Sequence, residues 1–235
     1  MVGVVTGSNS LITVPVMFQF GIDSRVAVAT NMFGLLFMSI GGTIPFIRQG
    51  IYDRERLPNL VILTLIGSAL GALLVGFISS KTMPIIVSVS MIAVTVFTLV
   101  KPSAGVQKQT VISPAAIVAT YILTFLLGIY GGLYSGGYVT MLTAAYVALF
   151  GMTFTEAVAN TKIINVFSSL VATIIFAWQG LIDYRLGIIL AVVMFVGAYI
   201  GAYTVTKLND LWLKRIFLAT VLILAVKIIF DLSLK

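Results

Sequence analysis

Charged residues occupy short intervals of this chain, and the uncharged segments between them are long enough to cross a membrane. No Asp, Glu, Lys or Arg occurs in residues 1–22, 26–47, 57–80, 82–100, 109–155, 163–182 and 186–206. Roughly 20 apolar residues in a helix cross a hydrocarbon core of about 30 Å. An eighth apolar segment, 212–233, carries most of its charges near its ends. The pattern predicts an all-α membrane protein with seven to eight transmembrane helices.

The amino-acid inventory excludes several classes of function. Only 9% of the residues are charged, and the net charge of +7 comes mainly from Lys and Arg in short connections, where they anchor helices at the membrane surface. We therefore expect lipid, and no nucleic acid, as a partner. The chain has no Cys and no His, which excludes disulfides and His-based metal or catalytic sites. We expect no catalytic residue, metal or cofactor, since an enzyme would need a Ser-Lys pair, and Ser169 lies nearly two helical turns from Lys162.

The chain repeats special-purpose residues at a constant offset of 130 without a gap. The matching pairs are Gly21 and Gly151, 27–29 and 157–159, 49–50 and 179–180, Asp53 and Asp183, Gly67 and Gly197, and 71–72 and 201–202. Glycine, glutamine and aspartate rarely coincide by chance in apolar segments, so we predict an internal duplication. The first transmembrane repeat is residues 1–100, the polar linker is 101–109, and the second repeat is 110–235.

Both repeats carry a turn-forming sequence close to their first span. The uncharged run 109–155 is too long for one crossing, and a cluster of glycines marks the interruption: Gly128, Gly131, Gly132, Gly136 and Gly137. The equivalent place in the first repeat is 7–10, which reads Gly-Ser-Asn-Ser. Non-helical backbone in a membrane must be buried in protein or line a cavity. We therefore predict a broken or re-entrant first helix in each repeat, and a binding cavity beside the two breaks.

The most polar part of any predicted span follows Glu156. Helical spacing brings Asn160, Thr161, Lys162 and Asn165 into one polar stripe. A lysine costs roughly 2.5–3.5 kcal/mol at the centre of a span, so it faces a cavity, a partner or the membrane surface. Lys162 is thus either a cation that recognises an anion or a side chain that reaches the surface or pairs with Glu156. The first repeat has Met32 at the matching place, so a cationic site would be asymmetric.

The sequence also suggests where three tyrosines lie and what two glycine motifs do. Tyr130, Tyr134 and Tyr138 surround the glycine cluster, and they line either the cavity or the membrane interface. Glycines spaced four apart, at 67 and 71 and again at 197 and 201, are assigned to close packing between helices.

These features together resemble the TauE/SafE family of anion transporters, also described as sulfite exporters. The resemblance covers nearly the whole chain and is carried by the segments "SNSLITVP", "SGGYVTML", "AVATN", "EAVANTKIINVFSS", the "QG..D" element of each half and "GAYIGAYTVTKLNDLWLKRIF". Family members commonly have three or more glycines where this chain has Ser8, Asn9 and Ser10.

The resemblance implies export of sulfite, sulfoacetate or another organosulfonate or sulfur oxyanion across the cell membrane. Lys162 would supply charge, the polar side chains around it neutral donors, and the helix ends after the breaks backbone N–H groups. The predicted substrate-binding residues are Ser8, Asn9, Ser10, Thr13, Thr30, Asn31, Gly136, Gly137, Tyr138, Asn160, Thr161, Lys162 and Asn165. Glu156 is the candidate coupling residue.

Two alternatives stay open from the sequence alone. A membrane subunit or sensor that anchors a partner protein would also be apolar throughout, although no loop much longer than ten residues offers such a partner a surface. The repeats are inverted or parallel according to whether residues 112–150 return or cross once. The oligomeric state, including a homo-oligomer, is not fixed by these patterns.

Overall fold

A computed structural model describes residues 9–89, 112–213, 215, 216 and 219. Seven helices are bounded within these ranges: α1 (Ser10–Gln19), α2 (Ser24–Gln49), α3 (Leu57–Val75), α4 (Pro114–Leu133), α5 (Tyr138–Leu149), α6 (Phe154–Trp178) and α7 (Tyr184–Val205). Further helical residues begin at Met83 and at Asp210. The described residues contain no strand, which confirms the all-α prediction for this part of the chain.

Five of the helices are long and apolar enough to cross a membrane. These are α2, α3, α4, α6 and α7, while α1 and α5 are shorter apolar helices. Their outer faces are apolar and exposed, as lipid contact requires; Ile62, Leu126 and Val193 are examples. The predicted total of seven to eight crossings and the linker 101–109 extend to segments outside the described residues.

The helix directions follow from the contacts between helices. Gly67 and Gly71 of α3 approach the α4 backbone at Phe125 and Ile129, so α3 and α4 run in the same direction. Tyr121 packs edge-on against Phe150, and the helices α4 and α5 are therefore antiparallel neighbours. The segment 112–150 returns toward the side on which it begins, as a helical hairpin.

The long helices α2 and α6 pack against each other in opposite directions. The Ser39 Oγ atom of α2 lies 2.6 Å from Asn165 Nδ2 of α6. One turn further along α2, a Cβ added at Gly42 would lie 3.6 Å from Lys162 Cδ. Later residues of α2 thus meet earlier residues of α6, and α7 packs parallel to α2 through contacts of Gly34 with Leu190 and Gly42 with Ala198.

These directions sort the helix ends onto two faces of the bundle. One face holds the turn 50–56 and the ends near 113, 153 and 206; we call it the basic face, since Arg48, Arg54, Arg56 and Lys207 lie there. The turns 21–23, 76–82 and 179–183 lie on the opposite face. Hydrogen bonds within each face agree with this division: Gln49 with Thr206 on the basic face, and Ser24 with Ser80 on the opposite one.

Backbone features recur at the offset of 130. Gly21 and Gly151 both have positive φ, of 76° and 64°, and Gly50 and Gly180 both have φ 67°. A side chain is strained at such angles, which explains glycine at all four turns. Asp53 and Asp183 each accept hydrogen bonds from the backbone N–H groups two and three residues later. This recurrence is what a duplicated half would produce.

The prediction of glycine-mediated packing is confirmed at Gly67 and Gly71. A Cβ at Gly67 would lie 2.6 Å from the Phe125 carbonyl oxygen, so only glycine permits the approach of α4. At Gly197, the position equivalent to Gly67, no described atom lies within 4 Å of an added Cβ. Packing is therefore the wrong assignment for Gly197 within the described part of the chain.

Candidate functional site

The short helices α1 and α5 both begin inside the protein. Ser10 at the start of α1 and Tyr138 at the start of α5 are fully buried. The break between α4 and α5, predicted from the glycines, spans 134–137, where Gly137 has a φ of 80°. Ser10 Oγ lies 2.8 Å from Ser135 Oγ in this break. The two helices run from this interior region in opposite directions. The α5 helix leads to the basic face, near residue 151, and α1 leads to the opposite face, near residue 21.

Asn31 and Tyr134 complete the cluster around the start of α1. Asn31 Nδ2 donates to Ser10 Oγ at 2.8 Å, and the Tyr134 hydroxyl donates to the Ser10 carbonyl at 3.1 Å. Asn31 Oδ1 is buried and has no hydrogen-bond partner among the described residues. The positive ends of two helix dipoles and a set of neutral polar groups make this region a favourable environment for an anion.

Lys162 lies in the interior of α6, eight residues after the first residue of the helix. Its side chain is 1% exposed, which makes it the only fully buried charged residue in the described ranges. A side chain that reaches the membrane surface would be exposed along its length, so that alternative is wrong. Lys162 instead packs against α2, with its Cδ atom beside Gly42.

The other residues of the α6 stripe divide into two groups. Thr161 Oγ1 lies 3.2 Å from Thr143 Oγ1 of α5, and Asn165 Nδ2 donates to Ser39 of α2, so both side chains lie in the interior between helices. Asn160 is also buried, but its Oδ1 accepts from the backbone N–H of Asp53 at 3.3 Å. Asn160 thus connects α6 to the turn before α3.

Thr30 makes the equivalent connection in the other half. Its Oγ1 accepts from the backbone N–H of Asp183 at 3.0 Å, just as Asn160 accepts from Asp53. The positions are related by the offset of 130 in both cases. Each long helix therefore fastens the turn of the opposite half, and this structural task occupies the two side chains.

The remaining predicted residues lie around the two breaks and at the start of α6. Asn9 Nδ2 contacts Met38 Sδ at 3.7 Å, Thr13 Oγ1 donates to the Asn9 carbonyl, and Ser8 lies outside the described residues. Gly136 accepts a hydrogen bond from the Tyr130 hydroxyl. Glu156 forms a capping box with Thr153 at the start of α6, which gives it a structural role.

Tyr134 and Tyr138 belong to the core. Both side chains are fully buried, so neither belongs to an interfacial aromatic belt. The Tyr138 ring packs over Gly131, where a Cβ would approach the ring to 2.8 Å. Glycine at 131 thus leaves the space that the tyrosine fills.

Sequence reasoning named Asn31 on α2 but missed Ser39 and Thr43 of the same helix. The polar residues of α2 that are spaced at multiples of four are Asn31, Ser39 and Thr43. Their counterparts 130 residues later, together with Asn165, form a row on α6: Thr161, Asn165, Ser169 and Thr173. All seven are buried, and residues four apart share a helix face. We call these two rows, which the Asn165–Ser39 hydrogen bond joins, the polar seam; the spacing of four, combined with the offset, was the signal available in the sequence.

A family model described as "Sulfite exporter TauE/SafE" matches residues 1–228 of the chain. The chain belongs to the TauE/SafE family. Its resemblance to that family in sequence motifs is thereby confirmed. Because the family is one of membrane transporters, membership favours transport over catalysis and agrees with the membrane location that the apolar helices indicate.

Curated relatives of this TauE/SafE member carry transporter names. It is 27% identical over 229 residues to a probable membrane transporter protein, ORF9, of Sinorhizobium sp, covering 97% of this chain and 87% of the relative. It is 24% identical over 230 residues to the probable membrane transporter protein YfcA of Escherichia coli strain K12, covering 97% and 84%. A probable membrane transporter protein of Haemophilus influenzae is 22% identical over 227 residues, covering 97% and 89%. No solved structure matches significantly.

Proposed function

We propose that the protein exports a small anion across the cell membrane by alternating access, and that the anion is sulfite, sulfoacetate or another organosulfonate or sulfur oxyanion. The observation that carries the proposal is the fully buried Lys162 between α2 and α6. A charged side chain inside a membrane-spanning helix commonly marks a substrate or ion pathway, and a cation suits an anionic substrate. The name of the family model agrees with a sulfur oxyanion as the substrate.

The surrounding polar groups support recognition of an oxyanion. Thr161 and Asn165 lie on the same helix within one turn of Lys162, and Asn31 and Ser10 lie at the start of α1. Hydroxyl and amide groups donate hydrogen bonds to oxyanion oxygens without adding charge. Thr30, Asn160 and Glu156 are weaker candidates because they already bond the backbone at turns and helix starts.

The antiparallel packing of α2 and α6 supports an inverted repeat. These two helices occupy equivalent positions in the proposed halves, and they run in opposite directions. Inverted repeats provide two alternative arrangements of the halves around one site, which is the usual basis of alternating access in transporters.

Flux measurements in liposomes test the proposal. We expect saturable flux of radiolabelled sulfite that sulfoacetate competes for and acetate does not. Lys162→Met, which copies the natural Met32, should lower the flux about 10- to 100-fold, because a hydrogen bond to a charged group contributes about 1.5–3 kcal/mol. The matched control is Lys207→Met, since Lys207 is exposed on the basic face, and it should retain parental flux.

The outcomes separate the proposal from its alternative. Parental flux in Lys162→Met would overturn the assignment of the cation. An absence of saturable flux for every anion tested in the parent protein would overturn the transport proposal and favour a membrane subunit or sensor that anchors a partner.

A further inference from the structure

The polar seam is closed at its middle by hydrogen bonds within the protein. Asn165 Nδ2 donates to Ser39 Oγ at 2.6 Å, and this bond joins α6 to α2. The Ser169 hydroxyl donates to the Asn165 carbonyl within α6. The central polar groups of the seam thus have hydrogen-bond partners within the protein in this state.

At each end of the seam, one threonine hydroxyl lacks such a partner. Thr43 Oγ1 and Thr173 Oγ1 are buried, with residue exposures of 6% and 8%, and neither has a hydrogen-bond partner among the described residues. Asn31 Oδ1, at the same end as Thr173, is also without one. An unmade hydrogen bond of a buried polar group costs about 1–3 kcal/mol.

A threonine in a helix has an easy way to avoid this cost. Its hydroxyl donates to the carbonyl four residues earlier, and Thr120, Thr124 and Thr204 do so here. Thr43, Thr173 and, on α3, Thr64 do not. Of these three, Thr43 and Thr173 are equivalent positions at the offset of 130. The same unsatisfied hydroxyl in both halves, at opposite ends of one seam, indicates a shared requirement for a ligand.

The ends of the seam lie toward different faces of the bundle. Thr43 is six residues before the end of α2 on the basic face, and Thr173 is five residues before the end of α6 on the opposite face. The antiparallel register places Thr43 level with Thr161, which is 12 residues from Thr173, or about 18 Å along the axis. The Asn165–Ser39 hydrogen bond lies between them.

We propose that the substrate route follows the polar seam, with Thr43 as the hydroxyl contact for substrate on the side of the basic face and Thr173 as the contact on the opposite side. The inference rests on the proposed transport function and assigns its two terminal contacts. Substrate passing between the two hydroxyls crosses the position of the Asn165–Ser39 hydrogen bond, which therefore opens during transport.

Single-cysteine labelling tests the route, and the absence of native cysteine makes the chain suited to it. Thr43→Cys and Thr173→Cys are treated with a membrane-impermeant maleimide in vesicles of both orientations. We expect each cysteine to react from one face only, Thr43→Cys from the basic face and Thr173→Cys from the other, with sulfoacetate slowing both reactions. Thr124→Cys is the buried control, since Thr124 contacts Thr120 and Tyr146, and it should not react from either face.

Kinetics of the hydroxyl-free variants give the second readout. Thr43→Val and Thr173→Val keep the side-chain shape, and each should raise the KM for transport about fivefold, which corresponds to about 1 kcal/mol of lost binding free energy. The control Thr204→Val removes a hydroxyl that bonds its own helix on α7, and its KM should stay parental.

The results distinguish failure of the inference from failure of the proposed function. A parental KM in both valine variants, or labelling of both cysteines from the same face, would overturn the proposed substrate route. Saturable flux in the parent protein would still support the transport function in that case. If the parent protein carries none of the tested anions, the proposed function fails, and labelling from opposite faces alone still decides whether the seam is the water-accessible route.

Discussion

At the residue scale, Asp23 shows how a carboxylate at the membrane surface stabilises the helix that follows it. Its side chain accepts hydrogen bonds from the backbone N–H groups of Arg25 and Val26 at the start of α2, at 2.9 and 3.3 Å. The Ser80 hydroxyl, these two amides and the Arg25 charge hold the pKa of Asp23 below its ordinary value, against the opposing effect of burial. The ionised form is thus the one that the folded protein prefers.

We expect Asp23→Ala to destabilise the protein at neutral pH by about 1 kcal/mol, the usual contribution of a helix cap. Because the folded pKa is lowered, the stabilisation from ionisation is present above the unfolded pKa of about 3.9 and is lost as the pH falls through the folded pKa. Thermal unfolding in detergent from pH 7 down to about pH 3 should therefore show the parent and Asp23→Ala converging. Asp23→Asn keeps a neutral oxygen acceptor, so the difference in Tm between Asp23→Asn and Asp23→Ala should stay constant over this pH range. A Tm difference between the parent and Asp23→Ala that also stays constant would contradict the lowered pKa.

The candidate site was predictable where a polar residue type is itself unusual in a span. Lys162, Asn160 and Asn165 stand out from an apolar background, and the structure does bring Lys162 and Asn165 into the interior. Ser39 and Thr43 were not recognisable, because single hydroxyls in a span commonly bond their own helix. The antiparallel register of α2 against α6 places Ser39 beside Asn165, whereas Thr43 has no hydrogen-bond partner among the described residues.

At the element scale, glycine decides which helices come into backbone contact. The α3–α4 interface is built on Gly67, Gly71 and Gly132, where an added Cβ would overlap backbone atoms of the facing helix. The equivalent position on α7, Gly197, faces open space in the described structure. The two repeats therefore use the same glycine in different surroundings, which the sequence alone does not reveal because the motif is the same.

This difference predicts opposite effects for one substitution at two equivalent positions. Gly67→Ala should destabilise the protein by about 1–3 kcal/mol, because the new methyl group would collide with the α4 backbone. Gly197→Ala should be neutral or stabilise by up to about 1 kcal/mol, since alanine is the better helix former. Thermal unfolding of both variants in the same detergent is the measurement. Equal destabilisation by the two would show that α7 is packed through Gly197 as α3 is through Gly67.

At the scale of the whole molecule, the helix directions and the charges favour one orientation in the membrane. The basic face holds Arg48, Arg54, Arg56 and Lys207, whereas the opposite face holds Arg25, Lys81 and Arg185. Basic connections remain preferentially on the cytoplasmic side. The basic face is thus expected in the cytoplasm. The sequence predicted the limits of the spans, because lipid excludes charge, but it did not decide the return of 112–150, which depends on the packing of α5 against α4.

Exposed single cysteines test this orientation. We expect Glu55→Cys, Ser113→Cys and Asn209→Cys to be labelled from the cytoplasmic side, and Lys81→Cys from the other side. Impermeant labelling in right-side-out and inside-out vesicles is the measurement. Labelling of Ser113→Cys from the same side as Lys81→Cys would contradict the hairpin formed by α4 and α5, whatever the absolute orientation.

The two hydrogen bonds between turns and long helices also govern how the chain is assembled during synthesis. Thr30 receives its partner, the Asp183 N–H, only after more than 150 further residues have been made. The Asp53 turn likewise waits for Asn160. The first half therefore enters the bilayer with these contacts unmade, and its final shape is reached only when the second half has been inserted beside it.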